Sequence, residues 1–322
     1  MKTIAIAAGG DSPEYGVSIN SAAEVNKALA SRYNSYIIII RGDRWYWEDS
    51  KGRCFSIDKN DFSLKLDDRK LRFDGVFIAI HGTPGENGLL QGYFDMLKIP
   101  YTSCSAFCSA LTFNKHATKL YLKEYGIPMA NSSLIRKGEK VVSETILGRI
   151  GLPCFVKPND SGSSFGVSKV KKEKEFFPAI EKAFAESNEV LIESFMDGRE
   201  VACGVVKTSE KKIILPVTEI IPKNEFFDYE SKYTPGKSEE ITPALLDEKL
   251  TGEVQRLSST INDLLGCKGI VRVDFIIVNN KPLFLEINTV PGMSAESIIP
   301  KQAAAAGIEL EDLYSMVIED LF

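Results

Sequence analysis

Four residues in the C-terminal third are poor choices for a core and good ones for ion chemistry: Arg272, Asp274, Glu286 and Asn288. They lie in Gly269–Val278 and Pro282–Asn288, two β-branched and aromatic runs around Asn279-Asn280 that predict a hairpin. All four are even-numbered, and side chains along a strand alternate between faces. With a three-residue loop, Asn279-Asn280-Lys281, Asp274 stands opposite Glu286 and Arg272 opposite Asn288, so one face carries an Arg, two carboxylates and an amide. Val271, Val273, Phe275, Leu283, Leu285 and Ile287 then take the other face. A two-residue loop would break the cluster, because a one-residue slip exchanges faces. Paired carboxylates beside an amide oxygen suit Mg²⁺, which is held by one or two carboxylates plus substrate phosphates. A solvated hairpin face with a cross-strand Arg–Asp pair is the plainer alternative. It leaves unexplained the tight, backbone-exposing turn Thr289–Ser294 directly after the acids.

Other chemistry-bearing residues sit at strand ends. Lys157 closes an apolar run and precedes Pro158-Asn159-Asp160-Ser161-Gly162-Ser163-Ser164-Phe165-Gly166. That loop is small and rich in hydroxyls, and its backbone N–H groups can approach phosphate oxygens, with the lysine as a point charge. No Gly-Lys-Ser/Thr follows, so it is not a Walker A loop; an ordinary Gly/Ser turn is the alternative. Glu193 is out of place in Val190–Met196 unless it bonds something polar, such as an adenine amino group or a ribose. His81 ends a third strand and is open to either a functional or a loop-satisfying role. The aromatic, charged stretch Glu225–Gly236 has the composition of a lid that orders over substrate, or of an Ω-loop packed by its own aromatics.

These residues need elements to position them. Thr3–Ala8 reads as a buried strand ending in Gly9-Gly10 and followed by a helix through Val17, Ile19, Ala22 and Val25. Strand, glycine turn and helix is the way an α/β domain places ligands at strand C-terminal ends. Tyr36–Ile40 and Gly75–Ile80 fit a parallel buried sheet, with residues 41–73 a hairpin-like excursion around Trp45-Tyr46-Trp47. Short strands around Ser132–Ile135 and Cys154–Lys157 follow a helix that opens at Lys115. Leu250, Val254, Leu257, Ile261, Leu264 and Leu265 recur at helical spacing and are ended by Gly266. A C-terminal helix around Leu313, Val317 and Leu321 carries no chemical signal. The expected organisation is an N-terminal α/β doubly wound domain over 1–104, then two α+β units over 105–193 and 194–322.

At 322 residues the chain is too long for one ordinary core. A formal net charge of −5 gives no reason to expect nucleic acid or an anionic membrane surface. No apolar run approaches a signal-peptide core or a membrane span, so a cytoplasmic protein is expected. Six cysteines are scattered without a C-x-x-C pair and there are two histidines, which predicts free buried thiols rather than a zinc site.

With these residues in view, the sequence resembles the D-alanine–D-alanine ligases of the ATP-grasp superfamily. The resemblance runs the length of the chain: Gly9–Glu14 with Val17-Ser18, His81-Gly82 to Gly92, Val156-Lys157-Pro158 to Gly166, Asp228–Tyr233, Arg272–Phe275 and Glu286–Met293. It implies two Mg²⁺ ions (Mn²⁺ substituting) held by Asp274, Glu286 and Asn288, and ATP as co-substrate. Lys115, Lys157, Ser164 and Lys232 would contact its phosphates, with Glu193, Phe195, Met196 and Glu200 around adenine and ribose. Glu14 would hold the ammonium of the first D-alanine, with His81 nearby. Arg272 and the N–H of Gly292 would stabilise the oxyanion. Ser163, Tyr233, Ser297 and the backbone at Ile298 would orient the second D-alanine. The implied reaction passes through an acyl phosphate for peptidoglycan precursor synthesis, in a homodimer. Ser161, Asn87, Glu296 and Ile298 depart from the family pattern, and the last two flank the second-substrate pocket. A ligase of D-alanine to D-serine or D-lactate, or a non-catalytic nucleotide-binding module, are the competing readings.

Overall fold

The computed structural model describes residues 1–67, 69–160, 162, 165–222 and 238–322. Three sheets organise them. The first joins β1 (Thr3–Gly9), β2 (Asn34–Arg41), β3 (Arg44–Glu48), β4 (Cys54–Asp58), β5 (Ser63–Leu66), β6 (Arg69–Leu71) and β7 (Gly75–Ile78) in the order β6-β5-β4-β3-β2-β1-β7. β1 runs parallel to both β2 and β7, as the apolar runs predict. The polar stretch 41–73 does not leave this sheet: β3 to β6 extend its edge as an antiparallel meander. Alternation divides the sheet cleanly. Ile4, Ile6 and Ala8 join one core with α1 (Tyr15–Leu29), while Ala5 and Ala7 join another beside α2 (Leu89–Leu97).

Beyond α3 (Ala106–Phe113) and α4 (Lys115–Lys123), the second sheet has the order β10-β9-β11-β8, formed by β8 (Ser132–Arg136), β9 (Cys154–Pro158), β10 (Ser168–Val170) and β11 (Glu189–Ser194). α5 (Ser143–Ile150) and α6 (Phe176–Phe184) cover one face, where Val156, Ile192 and Phe176 are buried together. The third sheet contains β12 (Arg199–Lys207), β13 (Lys212–Ile214), β14 (Thr218–Pro222), β15 (Ser238–Ile241), β16 (Gly269–Val278) and β17 (Lys281–Asn288). α7 (Glu248–Leu264) packs Leu250, Val254, Leu257 and Ile261 onto it; Asp247 caps its start by accepting from the Leu250 N–H at 2.8 Å, and Gly266 follows its end at φ +66°.

α8 (Ile298–Ala305) and α9 (Leu310–Glu319) complete the chain. α9 returns to the first sheet, where Leu313, Tyr314, Val317 and Ile318 share the core of Ile4, Ile6, Val25 and Leu29. Arg32, just beyond α1, is 2.7 Å from both Glu311 and Asp312.

Candidate active site

The β16–β17 hairpin departs from its expected loop and keeps its expected face. Val278 pairs with Lys281, so the turn has two residues, Asn279 and Asn280, at φ +50° and +58°. Asparagine tolerates this left-handed pair better than most residues, as a two-residue primed turn requires. Such a loop alone would put Leu285 opposite Asp274. A β-bulge between Asp274 and Phe275 takes up one extra residue of β17, so that Phe275 pairs with Phe284 while Asp274 pairs with Glu286 and Arg272 with Asn288. The four polar residues therefore share a face by a different route. Phe284 takes a place in the core, whereas Leu285, expected there, lines a cleft.

That cleft has a volume of about 690 Å³ and is walled by the second and third sheets, with Glu14, residues of α1 and the loop after β7 at one end. Of the described residues named from the sequence, it is lined by Glu14, His81, Lys115, Lys157, Glu193, Phe195, Met196, Glu200, Arg272, Glu286, Asn288, Gly292, Ser297 and Ile298. Asp274 lies behind the lining, 3% exposed. Ser163, Ser164, Lys232 and Tyr233 fall outside the described residues, as does all of the expected lid Glu225–Gly236.

Charge in the cleft is organised in two groups. On the hairpin, Arg272 donates to both oxygens of Asp274, Nε at 2.8 Å and Nη2 at 2.7 Å, and Asn288 Nδ2 donates to Oδ2 at 3.1 Å. Lys115 Nζ stands 3.8 Å from Glu286. Hard oxygen donors on adjacent strands of one face fit Mg²⁺.

The second group lies on the cleft face of the second sheet. Val156 and Ile192 face its core, so alternation turns Phe155, Lys157, Leu191 and Glu193 the other way. Glu193, 3% exposed, bonds Lys157 through one oxygen and Lys119 of α4 through the other. Burial alone would raise the Glu193 carboxyl, but the two lysines outweigh it and hold the group down at about 2. The Lys119 ammonium is lowered by its burial and by Lys157, against the pull of Glu193. Two cations on one anion leave a surplus positive charge at this end of the cleft. Lys119 had no sequence signal beyond helical spacing. Asn159, fully buried at the end of β9, was also missed: its carbonyl accepts the Lys115 N–H at 3.1 Å, and Oδ1 accepts the His116 N–H at 2.8 Å. It thereby fixes where α4 starts.

At the other end, Glu14 precedes α1 beneath the glycine loop. A Cβ on Gly162 would sit 2.5 Å from Glu14 Oε2, so the backbone here and the Glu14 carboxylate lie close together. His81, 4% exposed, is a tether: Nδ1 donates to the Val290 carbonyl at 2.7 Å, which leaves Nε2 to accept from Ser21 Oγ at 3.0 Å. Ser21 in turn accepts the Met293 N–H at 3.2 Å. Burial lowers the imidazole below its usual value and keeps it neutral. Glu86, unremarked in the sequence, accepts the Gly82 N–H at 2.7 Å and the Val290 N–H at 3.4 Å. Burial and neighbouring Glu14 raise it to about 7. Gly292 and Ser297 are in contact range, since a Cβ on the glycine would lie 2.7 Å from Ser297 Oγ.

A cleft between two α+β units, with lysines of α4 and β9 on one side, acids of the third sheet on the other and an α/β domain closing one end, is the ATP-grasp architecture. The family model described as D-ala D-ala ligase N-terminus matches residues 3–104, and that described as D-ala D-ala ligase C-terminus matches 121–319. The chain belongs to the D-alanine–D-alanine ligase family. It is 51% identical to the D-alanine–D-alanine ligase of Phocaeicola vulgatus over 100% of this chain and 99% of that protein. Among solved structures it is similar to the VanG D-Ala:D-Ser ligase of Enterococcus faecalis, with TM-score 0.89 and 31% identity over 100% and 99% of the two chains. It is also similar to the D-alanine–D-alanine ligase of Bacillus anthracis complexed with ATP, with TM-score 0.79 and 28% identity over 99% and 97%.

Proposed function

We propose that this ADP-forming ligase joins two D-alanines into D-alanyl-D-alanine for peptidoglycan precursor synthesis. The observation that carries the reading is the convergence in one cleft of Glu14, the Lys119–Glu193–Lys157 group and the Arg272–Asp274–Glu286–Asn288 face. Asp274, Glu286 and Asn288 would hold Mg²⁺, with Mn²⁺ able to substitute; bound there, the cation neutralises phosphate charge.

In the proposed mechanism Lys115 and Lys157 orient the ATP phosphates, while Phe195, Met196 and Glu200 enclose the adenosine. Glu193 acts through the lysines it pairs with. Glu14 holds the ammonium of the first D-alanine, whose carboxylate attacks the γ-phosphate to give an acyl phosphate and ADP. The amine of the second D-alanine attacks that acyl carbon. Arg272 and the Gly292 N–H stabilise the oxyanion, which collapses with loss of phosphate. Ser297 and the Ile298 backbone orient the second substrate, and Ser163, Ser164, Lys232 and Tyr233 serve the lid and phosphate loop, whose closure keeps water from the acyl phosphate. The three units 1–104, 105–193 and 194–322, a homodimer and a cytoplasmic location belong to the same proposal. No helix among the described residues is long and apolar enough to cross a membrane.

The test offers D-alanine, D-serine and D-lactate in competition as second substrate across pH 6 to 9 (roughly the range around neutral catalytic pKa values), with products separated by mass. D-Alanyl-D-alanine is expected to dominate at neutral and alkaline pH. Dominant D-alanyl-D-serine would point instead to Glu296 and Ile298 beside Ser297, a reading favoured by the kinship with a D-Ala:D-Ser ligase. D-Alanyl-D-lactate at neutral pH would overturn the lid assignment. In parallel, Asp274→Asn should lower kcat about a hundredfold or more at saturating Mg²⁺ with the fold intact. Unchanged kcat would remove the metal assignment.

A further inference from the structure

Three thiols outside the cleft remain without a role. Cys104, where the chain leaves the first sheet, Cys108 on α3 and Cys267 in the turn before β16 are each at most 1% exposed. Their sulfurs all lie within 4.8 Å of one another, and Cys108 Sγ is 3.6 Å from Cys267 Sγ. Cys104 and Cys108 are four residues apart at the start of α3, whereas Cys267 reaches them from a distant part of the chain. Among the described residues this is the only cluster of three or more His, Cys, Asp or Glu groups whose ligand atoms converge.

We propose that Cys104, Cys108 and Cys267 form a three-coordinate site for a soft, thiophilic cation of the monovalent copper class. A metal–sulfur bond of about 2.3 Å gives sulfur–sulfur separations of about 4 Å in a trigonal plane, so the observed spacing needs only small shifts. A closed zinc site takes four ligands, and no fourth His, Cys, Asp or Glu among the described residues joins this one. Thiolates select Cu(I) over hard cations. The surroundings are apolar, including Leu265 and Ile127, which disfavours a hydrated ion. On binding, Cu–S bonds replace S–H bonds and the displaced protons pass to buffer; no electron is transferred. Affinity therefore rises with pH.

The test uses the full chain carrying Cys54→Ser, which removes the exposed thiol. Cu(I) is delivered anaerobically with a chromogenic chelator as competitor. One ion per chain should be withdrawn from the chelator, with Cys108→Ala weakening binding at least about tenfold and Cys203→Ala, elsewhere in the same core, leaving it unchanged. X-ray absorption on the loaded Cys54→Ser protein, which needs no core variant to fold, should count three sulfur neighbours. No uptake, a lower sulfur count, or equal binding by Cys108→Ala would overturn the site.

Discussion

At the residue scale, the polar groups of the cleft divide by how visible they are in a sequence. Glu193 is conspicuous because a carboxylate in an apolar strand must have a partner. The partners are two lysines, one of which, Lys119, lies on a basic helix where nothing distinguishes it from a solvated neighbour. Asn159 and Ser21 act through backbone groups, and such contacts leave no pattern along the chain. Glu86 carries a testable consequence. Its folded-state value near 7 exceeds the ordinary 4.5, so the folded protein binds a proton more readily than the unfolded chain. Stability from this group is greatest below the unfolded value and is lost as pH rises from about 4.5 through about 7. Glu86→Gln removes the buried charge, so its stability relative to the parent should improve by about 1–3 kcal/mol between pH 5 and pH 8. Urea unfolding at the two pH values measures this; a pH-independent difference would show that Glu86 titrates as an ordinary carboxylate.

At the element scale, the hairpin shows what parity fixes and what it leaves open. Even spacing places Arg272, Asp274, Glu286 and Asn288 together if one extra residue lies on the β17 side. The sequence does not say whether that residue sits in the loop or in the strand. Two asparagines able to adopt positive φ settle it in favour of a short turn, and the surplus residue becomes the bulge at Leu285. Deleting Leu285 should therefore leave Phe275 opposite Phe284 and Asp274 opposite Glu286 in an unbroken ladder. The fold should survive, while KM for ATP rises about tenfold, the scale of one leucine's buried surface. Thermal melting and initial rates read the two effects separately. Loss of the cooperative transition would show that the bulge is needed for the sheet itself.

At the scale of the whole molecule, the first sheet, the cleft and the last helix form one mechanical unit. The parallel strands and their helix were legible from apolar runs and a glycine turn; the meander was obscured by its polar composition. α9 showed no chemical signal because a tyrosine in an apolar helix looks like packing. Yet Tyr314 is fully buried and its hydroxyl donates to the Met293 carbonyl at 3.0 Å, bracing the turn that carries Gly292. Tyr314→Phe should cost about 1–3 kcal/mol, because it leaves a buried carbonyl unpaired. It should also lower kcat more than it raises KM for ATP. Unchanged stability and kcat would reduce α9 to a cover.

The hydrogen bonds from Ser31 to Glu311 and from Arg32 to Asp312, just beyond α1 and at the start of α9, join residues 280 positions apart. During synthesis, at about 5–20 residues per second, that separation is on the order of fifteen seconds to a minute. Throughout this interval the sheet face bearing Ile4, Ile6 and Ala8 has α1 beside it but lacks α9, the other helix of its core in the finished molecule. A sheet made long before its last helix is thus among the last parts to be sealed, and its safety in the crowded cell depends on time as much as on contacts.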